Sequence, residues 1–250
     1  MSGMDGRVAV VLGASGEKNF GSATARRLAA AGCKVVVAAR RLEPLEALAS
    51  EIGGLAVACD ISDESQIENL FARAKEAYGR VDVAVNSCGT HAMGPIAELT
   101  REQITPTLEL SFIGALLFFK HAAAAMPEGG SVMTISSLTA RLPGAGYSVY
   151  AGARAGIDYT VKVAAIEYGA QGVRFNSIAA GLIETDMTAG FFQVPELVEG
   201  FVSQIPVGRM GSVDDVAETA LWLADPERSG FVNGSVIDLS GGQHMGRLPG

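Results

Sequence analysis

The sequence predicts an α/β fold: a doubly wound parallel sheet of about seven strands with helices on both faces. Seven short runs rich in β-branched residues are apolar on both faces, which is typical of strands covered on both sides. Helical patterns lie between these runs, and this alternation indicates right-handed βαβ units. The 250 residues, 48% of them hydrophobic, suffice for one large core, and we find no linker or repeat. We therefore expect a single domain over 1–250.

The predicted elements follow one another along the whole chain. The strand runs, in order, are RVAVVLG, KVVVAAR, LAVACD, VDVAVNS, GSVMTISS, GVRFNSI and GSVIDLS. The predicted helices span 21–31, 42–52, 63–78, about 102–126, 149–168 and 213–224. Ligands of such sheets bind beyond the carboxyl ends of the strands, so the residues just after each strand are the candidates for function.

Charge and hydropathy narrow the possible partners. A net charge of −8 and a pI near 4.9 argue against nucleic-acid binding, which needs a basic face, and against an anionic membrane surface. No apolar stretch was found that reaches the ~18 residues of a membrane span. The start, MSGMDGRVAVVLG, lacks the pattern of a secretory signal peptide. We expect a cytoplasmic protein without nucleic-acid or membrane partners.

Cysteine and histidine are sparse and scattered. The cysteines are odd in number and widely spaced, at Cys33, Cys59 and Cys88. This spacing is typical of small buried side chains in a reducing compartment. The histidines form no cluster of ligands, at His91, His121 and His244. We therefore predict no metal site.

A glycine-rich loop follows the first strand. Residues 13–21 read GASGEKNFG and lead into a helix that begins with small residues. Glycine lets a backbone approach a pyrophosphate, and the helix N-terminus supplies N–H groups and a dipole. Glycines alone would fit any βα turn, but the strand, the loop and the helix together predict a dinucleotide site in a Rossmann-type sheet. The candidate loop residues are Gly13, Ser15, Asn19, Phe20 and Gly21.

The end of the second strand bears on cofactor choice. NAD sites usually place Asp or Glu here to bind the ribose 2′-hydroxyl, but this chain has Ala39. The planar guanidinium of Arg40 suits the 2′-phosphate of NADP. A solvated arginine pair that opens a helix is the alternative. NADP is the predicted cofactor, and NAD stays an alternative.

Further motifs stand in a fixed order along residues 6–242. They are the glycine loop, CDISD at 59–63, NSCG at 86–89, ISS at 135–137, Tyr150 thirteen residues after Ser137, RFNSI at 174–178, GLIET at 181–185, GRMG at 208–211 and the glycine pair 241–242. With these motifs in this order, the chain resembles the short-chain dehydrogenase/reductases. The resemblance implies a hydride-transferring oxidoreductase that works on a carbonyl or an alcohol.

The resemblance also implies roles for individual residues. Cofactor contacts would come from Asp60, Ile61, Asn86, Ser87, Gly89, Gly181, Ile183 and Thr185. Ser137 would hydrogen-bond a substrate carbonyl, and Tyr150 would give or take the hydroxyl proton. Taken singly, a serine after a strand is often a turn cap, and a tyrosine on an apolar helix is often part of the core.

The chain departs from the family pattern at four places. Arg154 replaces the usual lysine; a guanidinium can bind the ribose and stabilise a phenolate, but it does not release a proton. Ser111 replaces the usual helix asparagine, and its hydroxyl has a shorter reach. The glycine loop is about two residues longer than the common form, and Ala180 replaces a proline before Gly181.

The last three departures resemble the enoyl-acyl-carrier-protein reductase branch, whose active tyrosine stands seven residues before the cation, at Tyr147 here. Three functions therefore stay open. The first is an NADP-dependent carbonyl reductase or alcohol dehydrogenase that uses Tyr150. The second is an enoyl-thioester reductase that uses Tyr147. The third is a cofactor-binding protein without catalysis, which the changes at Arg154 and Ser111 suggest.

Apolar residues in the loops around this site predict the substrate pocket. They are His91, Met93, Leu142, Tyr147, Leu182, Met187, Phe191 and Phe192. We expect a small to medium-sized, apolar carbonyl or thioester substrate under a mobile lid at 187–203. Packing of these side chains onto the protein body is the alternative.

The resemblance further implies a homotetramer that pairs the two long helices around 102–126 and 149–168. The first of these carries Leu116, Leu117, Phe118, Phe119 and the alanines 122–125. That is more apolar surface than one buried stripe requires, which fits an isologous interface. Complete burial within one domain is the alternative.

Overall fold

The computed structural model describes residues 3–90 and 92–246, and it confirms the predicted sheet. Seven strands, all parallel, form one sheet in the order β3-β2-β1-β4-β5-β6-β7. They are β1 Val8–Leu12, β2 Lys34–Ala39, β3 Leu55–Ala58, β4 Val83–Asn86, β5 Gly130–Ser137, β6 Val173–Ala180 and β7 Val236–Leu239. The strand order reverses between β1 and β4, so their carboxyl ends flank a crevice where ligands of doubly wound sheets bind.

The helices lie close to the predicted ranges. They are α1 Phe20–Ala30, α2 Leu42–Ile52, α3 Glu64–Tyr78, α4 Arg101–Leu108, α5 Gly114–Ala124, α6 Ser148–Tyr168, α7 Pro195–Val202, α8 Val213–Ala224 and α9 Pro226–Ser229. The predicted bounds of α2 and α8 are confirmed. The short helices α7 and α9 were not predicted.

The long helix predicted around 102–126 is present as a continuous helical run, Arg101–Ala124, but a π-helical turn interrupts its α-helical hydrogen bonding. A π-helical turn, Glu109–Ile113, separates α4 from α5, and the N–H of Gly114 bonds to the carbonyl of Glu109, five residues back. Pro106 lies inside α4 and has no N–H, so one bond of the α-helical ladder is missing just before the turn. Gly114 then passes close to the segment that follows β3, because a Cβ there would lie 2.5 Å from the carbonyl oxygen of Ile61.

The expectation that no stretch could span a membrane also needs correction. By length and composition alone, the continuous helical run Arg101–Ala124 passes for a membrane span. Within the fold, 44% of its most apolar window is buried. Phe118, Phe119 and Ala122 belong to the core beside the sheet.

Both faces of the sheet are covered, as predicted. On one face α3, α5 and α6 contribute Leu70, Phe118 and Ile157 to the core, and on the other α1, α2 and α8 contribute Leu28 and Leu45 among others. The burial of the α5 phenylalanines and of most of alanines 122–125 favours the in-domain explanation for those residues. Apolar side chains still exposed on α5 and α6 include Leu116, Tyr159, Val163 and Ile166.

Candidate active site

A cavity of about 830 Å³ lies at the carboxyl edge of the sheet. Most residues predicted for the site line it: Gly13, Ser15, Asn19, Phe20, Arg40, Asp60, Ile61, Ser87, Gly89, Ser137, Tyr147, Tyr150, Arg154, Gly181, Ile183 and Thr185. Gly21, Asn86 and Ser111 are buried just behind its wall. His91 falls outside the described residues.

The glycine loop is tightly packed against the end of β4. Gly13 has a φ of +93°, and a Cβ there would lie 2.7 Å from the Oγ of Ser87, while a Cβ on Gly21 would lie 2.5 Å from the carbonyl oxygen of Gly13. Asn19 caps α1, and its Oδ1 accepts the N–H of Ser22 at 2.7 Å. Within the described chain, the N–H groups of Phe20 and Gly21 meet no acceptor. A helix start with unused N–H groups fits a pyrophosphate.

Two arginines, Arg40 and Arg41, follow β2 and line the cavity. Arg40 is exposed and lies near Asp60; the N–H of Ser62 and, to a smaller extent, the charge of Arg40 lower the pKa of the Asp60 carboxyl. Nη2 of Arg41 donates to the carbonyl oxygen of Ser15 at 2.9 Å, which ties β2 to the glycine loop. The sequence showed the adjacent arginines Arg40 and Arg41, but it did not show that Arg41 is held by the glycine loop.

A bridge that the sequence did not reveal joins the glycine loop to the segment after β6. Nζ of Lys18 lies 2.5 Å from Oε2 of Glu184. The backbone N–H of Lys18 donates to both carboxylate oxygens of Asp186 at 3.3 Å, and the N–H of Asp186 donates to the carbonyl oxygen of Lys18 at 3.0 Å. The lengthened loop provides Lys18, and this Lys18 bridge ties the loop to the segment that carries Asp186, which lines the cavity.

The start of α6 places two phenols and a cation on the cavity wall. Arg154 is only 4% exposed, and its Nη1 and Nη2 donate to the carbonyl oxygens of Ile135 at 3.0 Å and Cys88 at 3.1 Å. Its guanidinium carbon lies 5.3 Å from the ring centroid of Tyr150. Gly89 leaves room for it, because a Cβ there would collide with Nη2. The cation is thus fixed between the ends of β4 and β5.

Ser137 is the last residue of β5 and faces the cavity. Its Oγ accepts the N–H of Thr139 at 3.2 Å and the hydroxyl of Thr139 at 3.0 Å. It therefore caps the turn Leu138–Ala140, as the simpler interpretation proposed. Nothing in the described part of the chain accepts its own hydroxyl proton, so that donor stays available to a ligand.

Ser111 and Asn86 support the loop after β4 from behind. Ser111 is in the middle of the π-helical turn, fully buried, and its Oγ donates to the carbonyl oxygen of Thr90 at 3.4 Å. Oδ1 of Asn86 accepts the N–H of Cys88 at 3.0 Å. Because the carbonyl of Cys88 also holds Arg154, these two residues help to set the position of the cation.

A buried carboxyl lies one helical turn beyond Arg154. Oδ1 of Asp158 accepts the hydroxyl of Ser177 at 2.7 Å. Burial raises the pKa of the Asp158 carboxyl; the hydroxyls of Ser177 and Ser136 and, more weakly, the charges of Arg141 and Arg154 oppose this rise. The sequence did not indicate that the Asp158 carboxyl would lie so close to the site.

The cysteines are not all buried as expected. Cys33 and Cys59 are, but Cys88 is partly exposed and, like Cys59, lines the cavity. Burial raises the pKa of the Cys59 and Cys88 thiols to about 12, so both stay protonated near neutral pH. The described residues contain no group of three or more His, Cys, Asp or Glu side chains that could hold a metal ion.

The outer part of the cavity is apolar. Its side chains are Met93, Leu110, Leu138, Tyr147, Leu182, Met187 and Phe201. Leu142, Phe191 and Phe192 were expected here but do not line it. Phe191 packs edge-on against Phe192 and Phe201, with centroids 5.7 and 5.2 Å apart. Phe201 was missed because α7, which carries it, was not predicted.

Known proteins resemble this chain along nearly its whole length. A family model described as enoyl-(acyl carrier protein) reductase matches residues 13–244. A (2S)-[(R)-hydroxy(phenyl)methyl]succinyl-CoA dehydrogenase subunit of Thauera aromatica is 32% identical, with 97% of this chain and 98% of that protein covered. The human 3-oxoacyl-[acyl-carrier-protein] reductase is 30% identical, with 96% and 98% covered.

A solved short-chain type dehydrogenase/reductase from Mycobacterium ulcerans superposes with a TM-score of 0.93 at 31% identity, covering 100% of this chain and 94% of that one. The chain therefore belongs to the short-chain dehydrogenase/reductase family of oxidoreductases. Membership implies a nicotinamide cofactor, and related members act on carbonyl or thioester substrates.

Proposed function

We propose that the protein is an NADP-dependent oxidoreductase that interconverts a carbonyl and an alcohol, with Tyr150 as the acid/base. The observation that carries this proposal is the convergence of Ser137, Tyr150 and Arg154 on one wall of the cavity that the glycine loop borders. The first offers a hydroxyl proton, the second a phenol and the third a fixed positive charge.

The nicotinamide supplies or accepts the hydride when it is bound. The hydroxyl of Ser137 donates to the substrate oxygen, and Tyr150 gives that oxygen a proton during reduction or takes one during oxidation. Arg154 stabilises the phenolate that remains after reduction, because its charge lies against the tyrosine ring. A guanidinium does not release its proton, so the phenolate regains one from water.

The preference for NADP rests on the end of β2. Ala39 leaves no carboxylate facing the ribose, and Arg40 and Arg41 present two guanidinium groups, the second anchored on Ser15. A 2′-phosphate would accept charge-assisted bonds from such a pair. Asp60 and Ile61 would border the adenine, and the first N–H groups of α1 would hold the pyrophosphate.

A second candidate function is the reduction of an enoyl thioester with Tyr147 as the active phenol. Tyr147 lines the same cavity as Tyr150, and the matching family model is described as an enoyl reductase. The third candidate function is a dinucleotide-binding protein without catalysis. The reason to test it is that a buried arginine, Arg154, replaces the usual lysine of the family.

The apolar outer cavity favours a small to medium-sized, apolar ketone or 3-oxoacyl thioester over a charged substrate. The exposed Leu116, Val163 and Ile166 on α5 and α6 support a homotetramer, which size-exclusion chromatography with light scattering checks. A cytoplasmic location remains part of the proposal.

Three single tyrosine-to-phenylalanine substitutions test the mechanism. Tyr150→Phe, Tyr147→Phe and the control Tyr159→Phe, whose phenol is exposed, are assayed with NADPH and NADH on cyclohexanone, acetoacetyl-CoA and crotonyl-CoA. We expect Tyr150→Phe to lower ketone turnover at least 100-fold, the scale of general acid catalysis, while Tyr159→Phe has no effect. Undiminished ketone reduction by Tyr150→Phe would refute the proposal, and loss of crotonyl-CoA reduction in Tyr147→Phe alone would establish the second candidate.

Cofactor binding without any turnover would support the non-catalytic alternative. Calorimetry with NADPH measures binding, and Arg154→Lys then tests whether a lysine creates activity. If Arg154→Lys instead abolishes an existing activity, the arginine belongs to a working site and this alternative is excluded.

A further inference from the structure

We propose that Thr139 is a positioning residue that holds the hydroxyl of Ser137 as a one-way hydrogen-bond donor toward the substrate oxygen. This inference rests on the proposed function, because it assigns the donor of that same site. It adds a residue that acts on the substrate through Ser137 and sets the direction of its hydrogen bond.

The geometry is local and compact. Ser137 ends β5, and the chain turns immediately through Leu138–Ala140. Both the N–H and the Oγ1 of Thr139 reach the Oγ of Ser137, at 3.2 and 3.0 Å. Thr139 is half-buried and lines the cavity next to Ser137, so the contact lies within the candidate site.

A hydroxyl oxygen has two lone pairs and one proton. The two Thr139 donors occupy both lone pairs of Ser137, so this hydroxyl cannot turn round to accept a hydrogen bond from a ligand. Its proton can only be donated outward, into the cavity. A donor that itself accepts a hydrogen bond is polarised and becomes a stronger donor, so the Thr139 hydroxyl also strengthens the bond to the substrate.

Capping alone does not explain the Thr139 hydroxyl. The N–H of Thr139 already satisfies the turn that Ser137 caps, and any residue at 139 would provide that N–H. The second bond comes from the side chain and satisfies no backbone group. Its effect falls on the Ser137 oxygen alone, which is the atom that faces the substrate.

The test compares Thr139→Val, which removes the hydroxyl and keeps the shape and the N–H, with Thr139→Ser, which keeps the hydroxyl. Assays use NADPH and whichever of cyclohexanone or acetoacetyl-CoA the wild-type enzyme reduces faster. We expect Thr139→Val to lower kcat roughly three- to tenfold, the worth of one neutral hydrogen bond. Thr139→Ser should stay within about twofold of the wild type, and calorimetry should give the same NADPH affinity for both variants.

A double-mutant cycle separates action through Ser137 from any direct or structural effect. Ser137→Ala should be severely impaired, and adding Thr139→Val to it should cause no further loss. If Thr139→Val does not fold, which melting curves reveal, Thr139→Ala takes its place.

Full activity of Thr139→Val beside an impaired Ser137→Ala would overturn this inference and leave the proposed function standing. Independent, multiplying losses in the double mutant would also overturn it, because Thr139 would then act by another route. Full activity of Ser137→Ala, or no wild-type turnover on either ketone substrate, would overturn the proposed role of Ser137 and this inference with it.

Discussion

Replacing Arg154 by lysine should destabilise the protein even in the absence of any ligand. The guanidinium spans two carbonyl oxygens, those of Ile135 and Cys88, at the ends of neighbouring strands. Hydrogen bonds with one charged partner contribute about 1.5–3 kcal/mol each. An ammonium group lacks the planar fork and can keep one of the two contacts, so the net loss should be about 2 kcal/mol.

For a chain of 250 residues, this loss corresponds to a decrease in Tm of roughly 4–8 °C. Urea unfolding and calorimetric melting at one fixed protein concentration, without cofactor, measure it. Arg228→Lys is the control, because that arginine is exposed and the change should stay within about 0.5 kcal/mol. If Arg154→Lys were as stable as the wild type, the two hydrogen bonds from the guanidinium to the carbonyls would not contribute to stability. The inference that these bonds fix the cation between the ends of the two strands would then be wrong.

Two further variants test other contacts of the site. Lys18→Met should remove the ion pair with Glu184 and raise the NADPH dissociation rate up to about fivefold at low salt. This increase should become smaller as salt is added, because salt screens exposed ion pairs. Stopped-flow fluorescence measures the rate, and an unchanged rate would mean that the Lys18 bridge does not retain the cofactor. Asp158→Asn should gain stability relative to the wild type as the pH rises above about 4. The reason is that burial raises the pKa of the native Asp158 carboxyl, so the unfolded chain, which ionises near ~3.9, loses its proton first and is favoured as the pH rises. Urea titrations at several pH values check this, and a constant difference between the two proteins would contradict it.

The sheet and most helices could be predicted because their signals are local and strong. Strands that are apolar on both faces and helices with one buried stripe leave a period in the sequence, as in α2 and α8. Helix α7 was missed because its eight residues cover little more than two turns, too few to establish a helical period in the sequence. The π-helical turn was missed because hydropathy continues across it, while the change in hydrogen bonding at Gly114 leaves no compositional trace.

For the site, the sequence predicted which residues gather but not which atoms meet. The ends of parallel strands share one edge, so Gly13 and Ser137 could be placed together from strand positions, whereas Tyr150 was placed there by its family-like spacing to Ser137. The Lys18 bridge joins residues more than 160 positions apart, and nothing local indicates it. The contact between Thr139 and Ser137 is different: the two residues are only two positions apart, and a serine that follows a strand is a common turn cap.

The π-helical turn Glu109–Ile113 has a consequence for how insertions and deletions act on this chain. Such a turn holds one residue more than an α-helical path between the same end points, and one residue corresponds to a rotation of about 100° around a helix axis. Deleting a residue here would restore a regular helix and swing Phe118 and Phe119 of α5 away from the core, or else withdraw Ser111 from behind the cavity wall. The number of residues between α4 and α5 therefore determines both the packing of the core and the position of Ser111 at the site. A chain with one residue fewer could preserve the core packing or the position of Ser111, but not both.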